Sequence, residues 1–316
     1  MRVTAIRIGF GAPVSGAWAT PQNIATFAAR AEQLGYSSLW SFQRLIIPED
    51  KRTTMEPVYH SVLDPMATLA YAAAVTSRIR LGVAVINAPF VSPAYLAKQA
   101  ASLDVLSGGR HDLGLGIGWL PEEFELSDAQ MARRGARTAE YIRVLHALWA
   151  DGPSEFSGEF YRVPRGDVAP KPVQAGGPPI LLGGLARPAL ERVGRLADGW
   201  VTSSRTDLSR IAELIAIVKE AAAGAGRDPA ALQVVCRGVV RAGEPQAGPD
   251  GRRLLLSGDI GQIRADAESL AGQGVTEIFY DLNWDQQVGS PYVDPIAATE
   301  RATELMEALA PGDQPG

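Results

Sequence analysis

The chain has 316 residues, 46% of them hydrophobic and 21% charged, which supplies a sizeable core in a length that alternating strand–helix barrels routinely reach as one unit. A formal net charge of −5 provides no basic field for nucleic acid, and no apolar run approaches the roughly 18 residues needed to cross a bilayer. The opening MRVTAIRIGF lacks the basic-then-apolar layout of a secretory signal, so the expectation is a cytoplasmic protein with neither nucleic-acid nor membrane partners. Cys236 is the only cysteine, which excludes an intramolecular disulfide and a multi-cysteine zinc site, and no metal is expected. Within LQVVCRGVV that cysteine reads as core.

Short apolar runs bounded by Gly and Pro alternate along the chain with longer segments of helical periodicity, the pattern of parallel strands joined by helical crossovers. Strand 1 is AIRIGF, ending near Phe10. Helix 1 follows with Thr20 as N-cap, Pro21 in its first turn and Gly35 as stop, its stripe formed by Ile24, Phe27, Ala28, Ala31 and Leu34. Strand 2 spans Ser37 to Ser41, and after a long loop Asp64 and Pro65 open a helix running to about Thr76. Strand 3, IRLGVAVI, leads to Asn87, and Ser92 with Pro93 opens helix 3, which closes at Gly108 and Gly109. Strand 4 is HDLGLGIG, ending at Gly118, and helix 4 carries Thr138, Ile142, Leu145 and Trp149 on one face. SEFSGEFYRV then predicts a small hairpin turning at Gly158, and VAPKPVQAGGPP a connector.

PILLGG is strand 5, helix 5 runs from about Pro188 to Leu196, GWVTS is strand 6 and LSRIAELIAIVKEAA helix 6. ALQVVCRGVV is strand 7, RAGEPQAGPDGRR an exposed loop, IGQIRADAESLAG helix 7 and VTEIFYDL strand 8, with helix 8 filling most of the C-terminus. Eight such units favour a closed (β/α)8 TIM barrel with a hairpin-containing insertion between helix 4 and strand 5, one domain over 1–310 and a flexible tail over 311–316.

A barrel of this kind places its active site at the C-terminal ends of the strands. His111 opens strand 4 at the other end and His146 lies within helix 4, so both read as structural, while His60 follows strand 2 on the site face. Gly114, Gly116 and Gly118 alternate along strand 4, which suits either close approach of a flat group or tight packing at a bend. Gly183 and Gly184 lead into a helix with Arg187 nearby, a turn that suits a phosphate.

Four stretches together resemble the bacterial luciferase-like oxidoreductases, in particular their coenzyme F420-dependent branch. They are ARAEQLGYSSLW, SRIRLGVAVINAPFVSPAYLAKQAASLDVLSGGRHDLGLGIGW, EFSGEFYRV and PPILLGGLARPALERVGRLADGWV. The resemblance implies hydride transfer between F420 and a small organic substrate, with an FMN-dependent monooxygenase and a non-catalytic cofactor-binding barrel as alternatives, and a homodimer. It implies a ring propped by a bulge at the end of strand 3, with a cis peptide between Ala84 and Val85, and cofactor contacts at Gln43, Asn87, Gly116 and Gly118. The backbone of Gly183, Gly184 and Ala186 would receive its phosphate.

Where many relatives carry an Asp-His pair after strand 2, this chain has Gln43 and Arg44. Arginine stays protonated, so Arg44 orients an anion or stabilises developing negative charge rather than acting as a base. Trp119 stands where some relatives carry a carboxylate, and Glu122 and Glu123 beyond it read as solvated loop charges. His60 and Tyr59 are the candidates to handle a proton. Trp40, Trp119 and Trp284 are candidate walls of an apolar substrate pocket, with Tyr59 beside them, although Trp40 fits barrel core equally well; Asp281 and Asn283 add polar groups.

Overall fold

The computed structural model describes residues 6–248 and 251–312. Among them, β1 (Arg7–Gly11), β2 (Ser38–Ser41), β3 (Arg80–Asn87), β4 (His111–Gly116), β5 (Ile180–Gly183), β6 (Gly199–Val201), β7 (Gln233–Val239) and β8 (Glu277–Asp281) form one closed sheet. Each strand pairs in parallel with the next in the chain, and β8 closes on β1 with Glu277 opposite Arg7. The result is a (β/α)8 barrel, as the alternation predicts.

The surrounding helices are α1 (Pro21–Gln33), α2 (Pro65–Ala73), α3 (Pro93–Ser107), α4 (Pro121–Leu126), α5 (Arg134–Trp149), α6 (Arg187–Leu196), α7 (Ile211–Gly224), α8 (Ile260–Gly272) and α9 (Pro295–Ala308). Four begin by the same local device: the side chains of Thr20, Asp64, Ser92 and Asp294 accept from the N–H of Asn23, Ala67, Tyr95 and Ala297, each with Pro in the first turn. α3 stops at Gly108, whose φ of 68° is left-handed and costs glycine nothing. The short α4 is absent from the sequence reading because six residues hold too little periodicity to register.

Apolar side chains fill two layers. The larger lies between strands and helices and takes in Ile24, Phe27, Ala28 and Ala31 of α1 and the buried Cys236, whose thiol burial pushes up to about 12. The smaller fills the barrel interior, where Trp40, Ala84, Leu181, Val201, Val235 and Phe279 meet. Trp40 is therefore core and not pocket wall. Its indole stacks on Phe279 at 5.3 Å, and its Nε1–H donates to Ser38 Oγ and Glu277 Oε1, both at 2.8 Å. Burial raises the Glu277 carboxyl above its ordinary range, against the opposing effect of Arg7. His111 is buried at the same end, its Nδ1 2.9 Å from the Leu81 carbonyl oxygen.

The insertion is a hairpin of Ser154–Ser157 against Arg162–Gly166. Buried Glu140 of α5 holds its turn by accepting from the N–H groups of Glu159, Phe160 and Tyr161 at 2.8–3.0 Å. Gly158 stands there because a Cβ would lie 2.2 Å from Glu140 Oε1. The segment expected as an exposed loop is partly tied down instead, with Arg241–Ala242 pairing in parallel with Ser257–Gly258 and Arg253 bonding Asp266. Strand 2 begins one residue late, at Ser38, and ends at Ser41 as expected, strand 4 ends at Gly116 short of Gly118, and α2 stops at Ala73 short of Thr76. Ala5 of the expected first strand and residues 313–316 of the expected tail lie outside the described residues.

Glu32 at the end of α1 accepts from the N–H groups of Ser77, Arg78 and Ile79, which begin the approach to β3. Burial opposes ionisation, but these donors outweigh it and hold the carboxyl at about 2 instead of 4.5. A depressed folded-state value contributes stability above the unfolded value and loses it as pH falls. Thermal unfolding followed from pH 5 to pH 2 is accordingly expected to fall less steeply in Glu32→Gln than in the parent, and parallel profiles would contradict this.

Candidate active site

At the C-terminal mouth of the barrel the ends of β2, β3, β4, β5, β6 and β7 enclose a cavity of about 250 Å³. Its floor is largely backbone. The Ala84–Val85 peptide is cis, as the family resemblance implies, and the β3–β4 register shifts between Val83 and Ile86. That bulge crowds β4: a Cβ on Gly114 would lie 2.0 Å from the Val83 oxygen, and one on Gly116 2.6 Å from both Val85 Cγ2 and Asn87 Oδ1. Of the two readings of these glycines, packing accounts for Gly114 and Gly116, and contact with Phe124 and Phe90 accounts for Gly118. Gly183 differs, since a Cβ there reaches only ordinary contact at 3.4 Å from Val85 Cγ1.

A polar chain ties three strand ends together. Gln43 Oε1 accepts the Asn87 N–H at 3.0 Å, and Asn87 Oδ1 accepts the Gly118 N–H at 3.0 Å. On the far side Gly184, with φ of 139°, leads into α6, whose N-cap Ala186 has no side-chain oxygen to satisfy the first-turn amides. Ala186 itself, the extended N-cap of α6, does not line the cavity.

Two guanidinium groups reach the cavity. Arg44 has a side chain only 6% exposed, and its Nη1 lies 2.8 Å from Oε2 of fully buried Glu123. The contact is one of charge, since neither atom has an aligned hydrogen bond. Glu123 also accepts the Leu45 N–H at 3.0 Å, so the expectation of a solvated loop carboxylate is overturned: α4 turns it inward. Glu122 instead pairs with Lys51. The Arg44 guanidinium lies over Tyr59 at 4.5 Å and Trp119 at 5.1 Å.

Arg237, which the sequence reading placed in an apolar strand without a role, is the second. Its Nη2 donates to the Ala84 carbonyl oxygen, its Nη1 lies 3.4 Å from Asp281 Oδ2, and it packs over Trp284 at 4.5 Å. Burial lowers the Arg237 value against the pull of Asp281, and raises that of Asp281 against the pull of Arg237. The available signal was an arginine two residues after the inward-facing Val235, near the site end of its strand. Asp281 and Asn283 are committed to structure: Asp281 also accepts from Asn283, and Asn283 Oδ1 accepts the Ser15 N–H and the Trp18 indole.

Phe42, Tyr59 and Trp284 form an aromatic wall with ring centroids 4.9–6.4 Å apart, and the Trp284 indole N–H has no hydrogen-bond partner. Trp119 lines the mouth and is 46% exposed. His60 falls outside the lining: its Nδ1 lies 2.9 Å from the Tyr292 hydroxyl, because the loop after β2 folds it toward the segment before α9. Among the described residues the lining contains no His, Asp, Glu, Lys or Cys; the Tyr59 phenol, one of the two candidates to handle a proton, does line it, beside the guanidinium groups of Arg44 and Arg237.

Residues 3–249 match the luciferase-like monooxygenase family. The chain is 34% identical over 285 residues to an uncharacterized protein of Mycobacterium tuberculosis, covering 87% of this chain and 92% of that one. It is 32% identical over 136 residues to the FMNH2-dependent dimethylsulfone monooxygenase of Pseudomonas putida, 42% of this chain and 37% of that one. In fold it is similar to an F420-dependent secondary alcohol dehydrogenase solved with an F420–acetone adduct, with a TM-score of 0.75 and 17% identity over 97% of this chain and 99% of that one. Among the described residues no helix is long and apolar enough to cross a membrane. The chain belongs to the luciferase-like monooxygenase family, whose members are oxidoreductases.

Proposed function

We propose that this protein binds coenzyme F420 across the barrel mouth and serves hydride transfer between the deazaflavin and a small organic substrate. The observation that carries the reading is a cavity with a backbone floor at Ala84–Val85 and Gly116–Gly118, leading through Gly183 and Gly184 to the uncapped start of α6. The residues present fit a planar ring bearing a phosphate: Gly183 leaves room that packing does not demand, and the Arg187 N–H at the start of α6 has no hydrogen-bond partner among the described residues, Pro188 having no N–H and the Ala189 N–H donating to the Ala186 carbonyl.

The coenzyme, when bound, supplies the redox chemistry. The Ala84–Val85 bulge supports one edge of the cavity, and the Gln43–Asn87–Gly118 chain holds the strand ends around it. The aromatic wall excludes water, while Arg44, Arg237 and the Trp284 N–H stabilise negative charge gained by a substrate oxygen. Tyr59 is the lining side chain that would exchange a proton with the substrate, in either direction of hydride transfer.

The match to an FMNH2-dependent relative favours FMN as the second reading. Titration of the purified protein with F420 and, separately, with FMN, following quenching of each fluorescence, decides between them. The expected result is F420 binding at least about tenfold tighter, a gap of about 1.4 kcal/mol; the reverse preference moves the protein to FMN, and failure of both sinks the cofactor assignment. Gly183→Ala is expected to weaken cofactor binding by about tenfold without shifting the thermal unfolding midpoint, because its Cβ meets ligand space and only ordinary protein contact.

A further inference from the structure

Beyond β6 and β7 lies a second, larger chamber of about 640 Å³, joined to the cavity through the shared lining residues Ser203, Ser204 and Arg237. We propose that this chamber binds the anionic head group of the substrate, a carboxylate, sulfonate or phosphate, so that the protein acts on organic acids whose body lies against the aromatic wall.

The argument is one of uncompensated charge. Arg205, Arg237, Arg241, Arg252 and Arg253 line the chamber, against Asp207 as the one carboxylate among its described lining residues. Asp207 Oδ1 is occupied by the N–H and hydroxyl of Ser209, at 3.0 and 2.6 Å. Arg237 and Arg253 have carboxylates beside them, Asp281 at 3.4 Å and Asp266 at 2.6 Å, and neither carboxylate lines the chamber. Arg205 and Arg241 have no ion pair among the described residues. Arg241 is half-buried, and burial lowers its value against the attraction of Glu56. Arg205 is exposed and lies over Trp119 at 5.2 Å, which places it at the junction with the cavity. Arg237 bridges both spaces, and its buried Nε has no hydrogen-bond partner. Planar guanidinium groups with open N–H edges are the protein's means of recognising oxyanions, and two cations without an ion pair among the described residues, in a partly enclosed space, favour an anion over an isosteric neutral molecule.

The assignment of that anion to a substrate rests on the oxidoreductase reading, and the anionic tail of the coenzyme is the other source of the same chemistry. The test uses the full chain without cofactor, titrated with benzoate and with benzamide at constant ionic strength by calorimetry and tryptophan emission, with Trp119 as the local reporter. The same titrations are run on Arg205→Gln/Arg241→Gln, and both proteins are titrated with F420. Benzoate is expected to bind at least about tenfold tighter than benzamide, with the preference lost in the double variant while F420 affinity stays within about twofold. Equal binding of the two probes, or an unchanged preference in the double variant, overturns the proposal. Parallel loss of F420 and benzoate binding overturns the substrate assignment and gives the chamber to the coenzyme. If wild type prefers benzoate and the variant does not, yet neither F420 nor FMN binds, the anion site stands and the cofactor reading falls.

Discussion

Glu123→Ala is expected to lower the free energy of unfolding by about 3–5 kcal/mol, among the largest effects of any single substitution in this chain. Glu123 is fully buried and faces an Arg44 side chain that is 6% exposed. Removing the carboxylate leaves a guanidinium whose nearest compensation is the faces of Tyr59 and Trp119. It also frees the Leu45 N–H that Glu123 accepts. The loss therefore comes mainly from stranding a charge and not from the attraction itself. Glu123→Ala/Arg44→Leu should recover most of the stability while cofactor affinity or turnover stays impaired. Chemical denaturation of the two variants measures this, and a double variant no more stable than the single one would show that Glu123 acts through packing alone.

Arg237→Ala is expected to cost a similar amount, about 3–5 kcal/mol, by a route that also reaches the cavity floor. The substitution strands Asp281, which is 1% exposed, and removes the donor to the Ala84 carbonyl. Pairing it with Asp281→Asn should restore part of the loss, because an amide can keep one contact to Asn283 without carrying a charge. Denaturant unfolding of the single and double variants checks the energetic claim, and F420 titration of the double variant checks whether the floor retains its shape. Unfolding of Arg237→Ala at the parent's midpoint would mean that Asp281 is protonated and neutral in the folded protein, a state that burial favours.

The sequence by itself determined the eight strand–helix units, their order and the end of the barrel that carries the site. These rest on local chemistry: Thr20, Asp64 and Ser92 before a proline start helices, Gly108 ends one, and the apolar runs between such signals are too short and too rich in β-branched residues for helices. The glycines of β4 and β5 stood out because they sit at strand ends, where position along the chain translates directly into position on the barrel, whereas Gln43, Arg44, Ala84, Val85 and Asn87 were marked out by the resemblance to the luciferase-like family.

Closure decided the rest. Barrel strands are buried on both faces, so composition does not say whether Trp40 points to the cavity or the interior, and the interior took it. Which cation meets which carboxylate depends on strands far apart in sequence, so Glu123 looked solvated until α4 brought it under Arg44. In the same way Arg237 looked like an intruder in an apolar strand until the closed sheet set it between Ala84 and Asp281. Charge pairing, the joining of the two chambers and the exclusion of His60 are properties of three-dimensional proximity, which local periodicity does not encode.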